Sequence, residues 1–394
     1  MYASPLSLVL VTETWAPEIN GVAMTLSRLV GGLAARGHRI QVVRPRQAVE
    51  SGQPAVAHPL VSEVVRPGLP IPGYTALRLG LPCTGRLLAD WRRQRPDVVH
   101  IATEGPLVCS ALSAAEALGI PVTSSYHTNF DDYAKHYRIG FLRNAAAGWL
   151  RRFHNRTCVT MVPSADLMRR LEAEGLNGCA LWSRGVDIET FAPTRRDAAL
   201  RAAWGVGPED CVCLHVGRIA PEKDIPLAIE AFRGVQARHP GARMVIVGDG
   251  PARPALARSL PQAIFTGTLP LDQLAAVYAS ADLFIFPSLS ETFGNVLCEA
   301  MASGVAAVGF DYAAARMFGR DGQNMRSIAC SDRAGFIAAV QQLADDAGLR
   351  RSIAAQARQD MLGNTWRRVV DRFEELLNGA VERHRRDDLL RLGA

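Results

Sequence analysis

The sequence predicts an α/β protein built from two doubly wound parallel sheets in succession. Strand-like apolar runs alternate with helix-like runs along all 394 residues, and that alternation argues for parallel sheets covered by helices on both faces. The pattern is broken once, near Val186–Pro208, where Pro193, Thr194, Arg195, Arg196 and a Gly-x-Gly-Pro turn form a join. The length favours two or three domains, and a hydrophobic share of 48% supplies their cores.

In the first half, strands are expected at Leu6–Thr12, Ile40–Val43, Asp97–Ile101, Pro121–Tyr126 and Val159–Val162, with helices at Val22–Ala35, Pro106–Ala117 and Ser164–Glu174. Gly68–Gly80, rich in Pro and Gly, reads as a mobile loop. In the second half, strands are expected at Cys211–Val216, Ala242–Val247, Ala263–Thr266, Leu283–Phe286 and Val305–Val308. Helices fall at Pro226–Ala237, Arg253–Ser259, Leu271–Ala279 and Ala334–Leu343, and Trp366–Leu377 reads as an amphipathic helix. The expected domains are therefore residues 1–188, with 366–394 packing back on them, and residues 189–365. Paired sheets of this kind bind ligands at the carboxyl ends of their strands, so a cleft between the domains is the expected site.

Bulk properties narrow the class. No apolar run reaches the roughly 18 residues of a spanning helix. The first strand has no basic residue before it and meets Glu13 at once, so it does not read as a secretory signal. Eight scattered cysteines show neither a zinc spacing nor a disulfide framework, and a reducing cytoplasm is expected. The net charge of +6 is uneven: residues 1–190 hold 20 Lys and Arg against 15 Asp and Glu, whereas residues 191–365 balance at 17 each. A basic first half suits anionic lipid or a phosphorylated acceptor, and equally an ordinary arginine-rich surface. No nucleic-acid partner is expected. Of the 44 basic residues only Lys135 and Lys223 are lysines, so a surviving lysine points mildly to a role needing a compact ammonium.

Two glutamates eight positions apart carry the chemistry. Glu291 and Glu299 bracket Thr292 to Cys298, after the apolar run Leu283–Phe286 and before Ala300-Met301-Ala302-Ser303-Gly304. This reads as a buried strand, a polar loop and the start of a helix. The N–H groups of Phe293, Gly294, Asn295 and Val296 would then face an anion, with one carboxylate on each side for a polyol. Such a site fits a nucleotide sugar. Gly217-Arg218-Ile219-Ala220-Pro221-Glu222-Lys223 follows the first strand of the second domain, placing Arg218 and Lys223 where they would neutralise a diphosphate leaving group. Two surface charges on a loop would give the same pattern.

Weaker signals accompany these. Asn20-Gly21-Val22 opens a helix after the first strand, so Gly21 suits either backbone approach to a phosphate or a plain tight turn. His127, before Thr128 at a strand end, suits a sugar hydroxyl, a proton shuttle or a structural histidine. Gly248-Asp249-Gly250 and Gly267-Thr268-Leu269 close strands and read either as nucleoside contacts or as turns. Arg138, Arg143, Arg151, Arg152 and Arg156 interleave with Phe141, Leu142, Trp149, Leu150 and Phe153. That pattern serves a membrane-surface helix or a packed amphipathic one. No Asp-x-Asp occurs, so the common metal clamp for a nucleotide diphosphate is missing and no metal site is expected.

These motifs, with Ser183-Arg184-Gly185-Val186-Asp187, Phe191 and Pro193, make the chain resemble the retaining glycosyltransferases of family 4, over nearly its whole length. The Glu291-x7-Glu299 motif is the most specific part. Within that family it is most similar to bacterial GDP-mannose-dependent α-mannosyltransferases, then to glycolipid-forming enzymes. The resemblance implies a GT-B fold and a metal-independent hexosyl transfer without cofactor. The donor would be GDP-mannose or a UDP-hexose, and the acceptor a lipid or saccharide hydroxyl. The expected location is the cytoplasm, and the basic segment leaves peripheral contact with the inner face of the membrane as one of its two readings. By the same resemblance Gly21 lies against the donor phosphate, His127 bonds the transferred sugar, and Arg218 and Lys223 hold the diphosphate. Glu291 contacts the sugar and Glu299 grips the ribose. The departures are Asp224, where relatives carry Gly or Asn, Tyr312-Ala313-Ala314-Ala315 in place of a Gly pair, and Asn324-Met325; they leave the donor open. The competing readings are a GT-B-like epimerase or phosphorylase, and a non-catalytic sugar-nucleotide or membrane-binding module.

Overall fold

The computed structural model describes residues 4–18, 20–47, 50, 53–71, 74–127 and 140–392. Thr128, Lys135 and Arg138 lie outside these residues, as do the side chains of Phe141, Leu142 and Arg143. Two compact units form: residues up to His127 with 140–184 and the chain from Trp366 onward, and residues 185–365.

The first unit holds a parallel sheet of seven strands in the order β3-β2-β1-β6-β7-β8-β9. Its strands are β1 (Ser7–Val11), β2 (Arg39–Pro45), β3 (Val61–Arg66), β6 (Val98–Ile101), β7 (Val122–Ser125), β8 (Val159–Val162) and β9 (Cys179–Leu181). The second unit's six parallel strands run β12-β11-β10-β13-β14-β15. These are β10 (Val212–Val216), β11 (Arg243–Val247), β12 (Ile264–Gly267), β13 (Leu283–Phe286), β14 (Ala306–Phe310) and β15 (Arg326–Ile328). In both sheets the order reverses beside the first strand, which is the topological switch point of a doubly wound fold.

Burial on both faces explains why the strands read as continuous apolar runs. Alternate residues serve opposite layers: Phe284 and Phe286 pack in one core of the second unit, Leu283 and Ile285 in the other. In the first unit Leu8 and Leu10 face one layer, Val9 and Val11 the other.

The expected strands and helices are present, with shifted ends. Gly68–Gly80 is not a loop. It forms an antiparallel hairpin, β4 (Gly68–Ile71) and β5 (Tyr74–Gly80), clasped by Glu13, whose Oε2 accepts from Gly80 N at 2.6 Å. The helix begun at Trp366 continues to Leu392, and Val370, Phe373, Leu377 and Ala380 share the first unit's core with Leu26, Val30 and Leu33. Glu374 fastens it, accepting from Arg36 at 2.6 Å and bonding His38 Nε2 at 3.2 Å.

Candidate functional site

The loops that leave β10 and β13 are neighbours because those strands pair at the second unit's switch point. From the first loop comes a 3-10 turn, Pro221–Lys223; from the second comes Glu291. Lys223 Nζ donates to Glu291 Oε1 at 2.6 Å, with the two side chains 16% and 17% exposed. Burial pushes the Glu291 carboxyl up, but the Lys223 ammonium outweighs it and the net shift is downward, so Glu291 is ionised at neutral pH. Ser290 Oγ donates to Glu222 O at 3.0 Å and ties the two loops together. Glu222 pairs with Arg218. Each cation is thus held by a carboxylate, Arg218 by Glu222 and Lys223 by Glu291.

The backbone explains the sequence around them. Gly294 precedes the helix Asn295–Ala302 at φ 99°, a left-handed value that disfavours a side chain. No side chain caps that helix. Its first-turn N–H groups, at Asn295 and Val296, have no intrahelical acceptor, as at any helix start. Asn295 Oδ1 is buried without a hydrogen-bond partner among the described residues. Phe293 is buried at 3% exposure among core aromatics and offers the site only its backbone. Glu299 lies on the second turn and accepts from the buried Tyr278 hydroxyl at 2.9 Å. Gly304 closes the helix: its N–H donates to Met301 O, and that of Val305 donates to Ala300 O.

Gly248 and Gly250 owe their identity to packing. A Cβ on Gly248 would stand 2.0 Å from Gly217 O, and one on Gly250 would stand 2.3 Å from Ile219 O. Gly248 N also donates to Gly267 O at 2.9 Å, which brings the ends of β11 and β12 together. Asp249 pairs with Arg253 at 2.8 Å. Asp224 adopts φ 47°, a left-handed value that Asp tolerates better than most side chains do. Ala313 also has positive φ, at 51°.

In the first unit, the helix starting at Gly21 caps itself. Asn20 Oδ1 accepts from Val22 N at 3.1 Å and Ala23 N at 2.9 Å, leaving fewer donors for an anion than at Asn295. His127 is buried, and both ring nitrogens are engaged, Nε2 by Ser125 Oγ at 2.9 Å and Nδ1 by Arg184. Burial first, and the Arg184 charge second, hold it neutral. On the helix Gly140–His154, Leu150 and Phe153 are buried, Trp149 is 43% exposed, and Arg151 and Arg152 are exposed. Arg156, just beyond it, is paired with Glu116.

Sequence reading passed over Tyr278 and His215, and used Arg184 only as part of the motif Ser183–Asp187, with no role of its own. His215 left a signal, a polar residue inside the apolar run Cys211–Val216; it is buried and its Nε2 has no partner among the described residues. Among the described residues no helix is long and apolar enough to cross a membrane, and no cluster of three His, Cys, Asp or Glu could hold a metal.

Comparison with known proteins matches the same segments. A family model described as "Glycosyltransferase Family 4" covers residues 19–190, and one described as "Glycosyl transferases group 1" covers 210–346. A GDP-mannose-dependent alpha-mannosyltransferase of Mycolicibacterium smegmatis is 36% identical over 92% of this chain and 95% of its own. An alpha-monoglucosyldiacylglycerol synthase of Acholeplasma laidlawii is 31% identical over 74% of this chain and 77% of its own. Among solved structures, Anabaena HepE in complex with UDP and glucose superposes with a TM-score of 0.73 at 18% identity, covering 95% of this chain and 99% of that one, and shows the same fold.

Proposed function

The chain belongs to glycosyltransferase family 4, and on that premise we propose a retaining, metal-independent α-hexosyl transfer. The donor is GDP-mannose or a UDP-hexose, and the acceptor is a lipid or saccharide hydroxyl. The observation that carries this is the Lys223–Glu291 pair at the switch point, beside Arg218 and the uncapped helix start at Asn295. That set supplies positive charge and N–H donors to a diphosphate, and carboxylates to hydroxyls.

The second unit holds the donor in this reading. The nucleoside lies against Gly248, Asp249 and Gly267, with the ribose on Glu299. Arg218 and Lys223 meet the diphosphate and Glu291 a sugar hydroxyl. As the anomeric C–O bond breaks, charge builds on the departing phosphate, where fixed cations stabilise the transition state more than the ground state. The acceptor oxygen bonds the anomeric carbon on the face the phosphate leaves. Its proton passes to that phosphate, so no separate carboxylate base is needed.

The names of the Mycolicibacterium and Acholeplasma relatives favour mannose or glucose as the sugar, and the second favours a diacylglycerol lipid as acceptor. The exposed Trp149, Arg151 and Arg152 fit peripheral contact with an anionic membrane at its cytoplasmic face. The test is release of GDP or UDP from each nucleotide sugar, with diacylglycerol or phosphatidylinositol in mixed vesicles, measured with and without excess EDTA. Turnover with one donor is expected. Activity abolished by EDTA would overturn the metal-independent step, and no turnover with any donor would overturn the function.

A further inference from the structure

At the carboxyl ends of β7 and β9 the first unit buries a cation that has no counter-charge among the described residues. Arg184 is 5% exposed. Its Nη2 donates to His127 Nδ1, its guanidinium lies 4.7 Å from the centre of the Trp182 ring, and its Nη1 is buried with no hydrogen-bond partner among the described residues. Burial lowers its pKa to about 9, which leaves it charged at neutral pH.

The guanidinium fixes the tautomer of His127. A guanidinium can only donate, so His127 Nδ1 accepts and its proton sits on Nε2. Nε2 then donates to Ser125 Oγ at 2.9 Å, and the same Oγ bonds His100 Nε2 at 3.0 Å. His100 Nδ1 bonds Thr123 Oγ1 at 2.9 Å. Burial keeps His100 neutral, with a pKa of about 3. The chain orients His127 and braces Arg184, but supplies no negative charge. A buried charge without a partner is costly to fold, and such groups concentrate where a ligand completes them.

We propose that Arg184, braced by His127 and Trp182, binds a phosphate oxygen of a substrate through Nη1. This rests on the reading of the chain as a nucleotide-sugar transferase. The phosphate belongs either to the donor or to an anionic acceptor lipid, and separate arms decide which.

Titration calorimetry on the full chain compares wild type, Arg184→Met and Arg184→Lys. One arm uses GDP and UDP; the other uses dispersed short-chain phosphatidylglycerol. Loss of a charge-assisted hydrogen bond predicts that Arg184→Met binds the probe of one arm about 10-fold more weakly or worse, with Arg184→Lys between it and wild type. Arg184→Met removes a costly buried charge but leaves His127 Nδ1 without its donor, so Tm should change by no more than a few degrees. Equal binding of every probe by Arg184→Met would overturn the inference alone, where wild type binds a nucleotide. So would a Tm lowered by more than about 4 °C, the mark of a structural role. Wild type that binds neither GDP nor UDP would overturn the reading beneath it, and the inference with it.

Discussion

Lys223 and Glu291 stand 68 positions apart in sequence yet meet at 2.6 Å, because the strands that deliver them are hydrogen-bonded neighbours. Removing either partner strips the site of a fixed charge and strands the other. Lys223→Ala and Glu291→Ala are each expected to lower kcat by about 100-fold or more, as loss of one transition-state contact does; steady-state rates check this. The types of these residues were legible in the sequence, and so was their place at strand ends. Their mutual pairing was not, since it depends on sheet order. Glu13 gives a pH prediction. Burial raises its pKa to about 7 against three backbone N–H donors. The folded state therefore holds a proton that the unfolded state has lost above about 4.5. This site's contribution is full below that pH and falls as pH rises to about 7. Tm measured from pH 4 to 8 should show a fall that is smaller in Glu13→Gln, which cannot ionise.

At the scale of elements, strand and helix positions were legible because a doubly buried parallel strand is a plain apolar run. The short strands β3, β9 and β15 were missed; β3 is only half-buried and lacks such a run. Gly68–Gly80 misled because Gly and Pro signal turns locally, while the clasp by Glu13 comes from elsewhere in the chain. Two backbone positions make checkable claims. Gly248→Ala would force a Cβ against Gly217 O at φ 124°, and should cost about 2–4 kcal/mol in denaturant unfolding. Ala313 holds φ 51° and ψ −119°. Ala313→Gly should therefore stabilise the chain by about 1 kcal/mol in the same assay, and a loss of stability would show that the turn needs its side chain.

Across the whole molecule, the two sheets share one strand order and hence one rule for where loops gather. That rule, with the alternation of strands and helices, let the fold class be read from sequence. Pairing details such as Tyr278 with Glu299, or Arg184 with His127, were not legible, because nothing in a sequence reports which polar groups burial brings together. The basic face of the helix Gly140–His154 makes a claim at this scale. Arg151→Glu with Arg152→Glu should reduce flotation with phosphatidylglycerol vesicles several-fold and leave nucleotide release from soluble donors unchanged. Equal flotation would remove that face from membrane contact.

The central claim is that the second unit clasps a nucleoside diphosphate through the Lys223–Glu291 site. The most direct measurement is calorimetric titration of GDP and UDP into wild type and Lys223→Ala. Wild type should bind one of them with a Kd in the range of about 1 μM to 1 mM, and Lys223→Ala should bind it about 10-fold more weakly or worse. Equal affinities in the two chains would contradict the assignment.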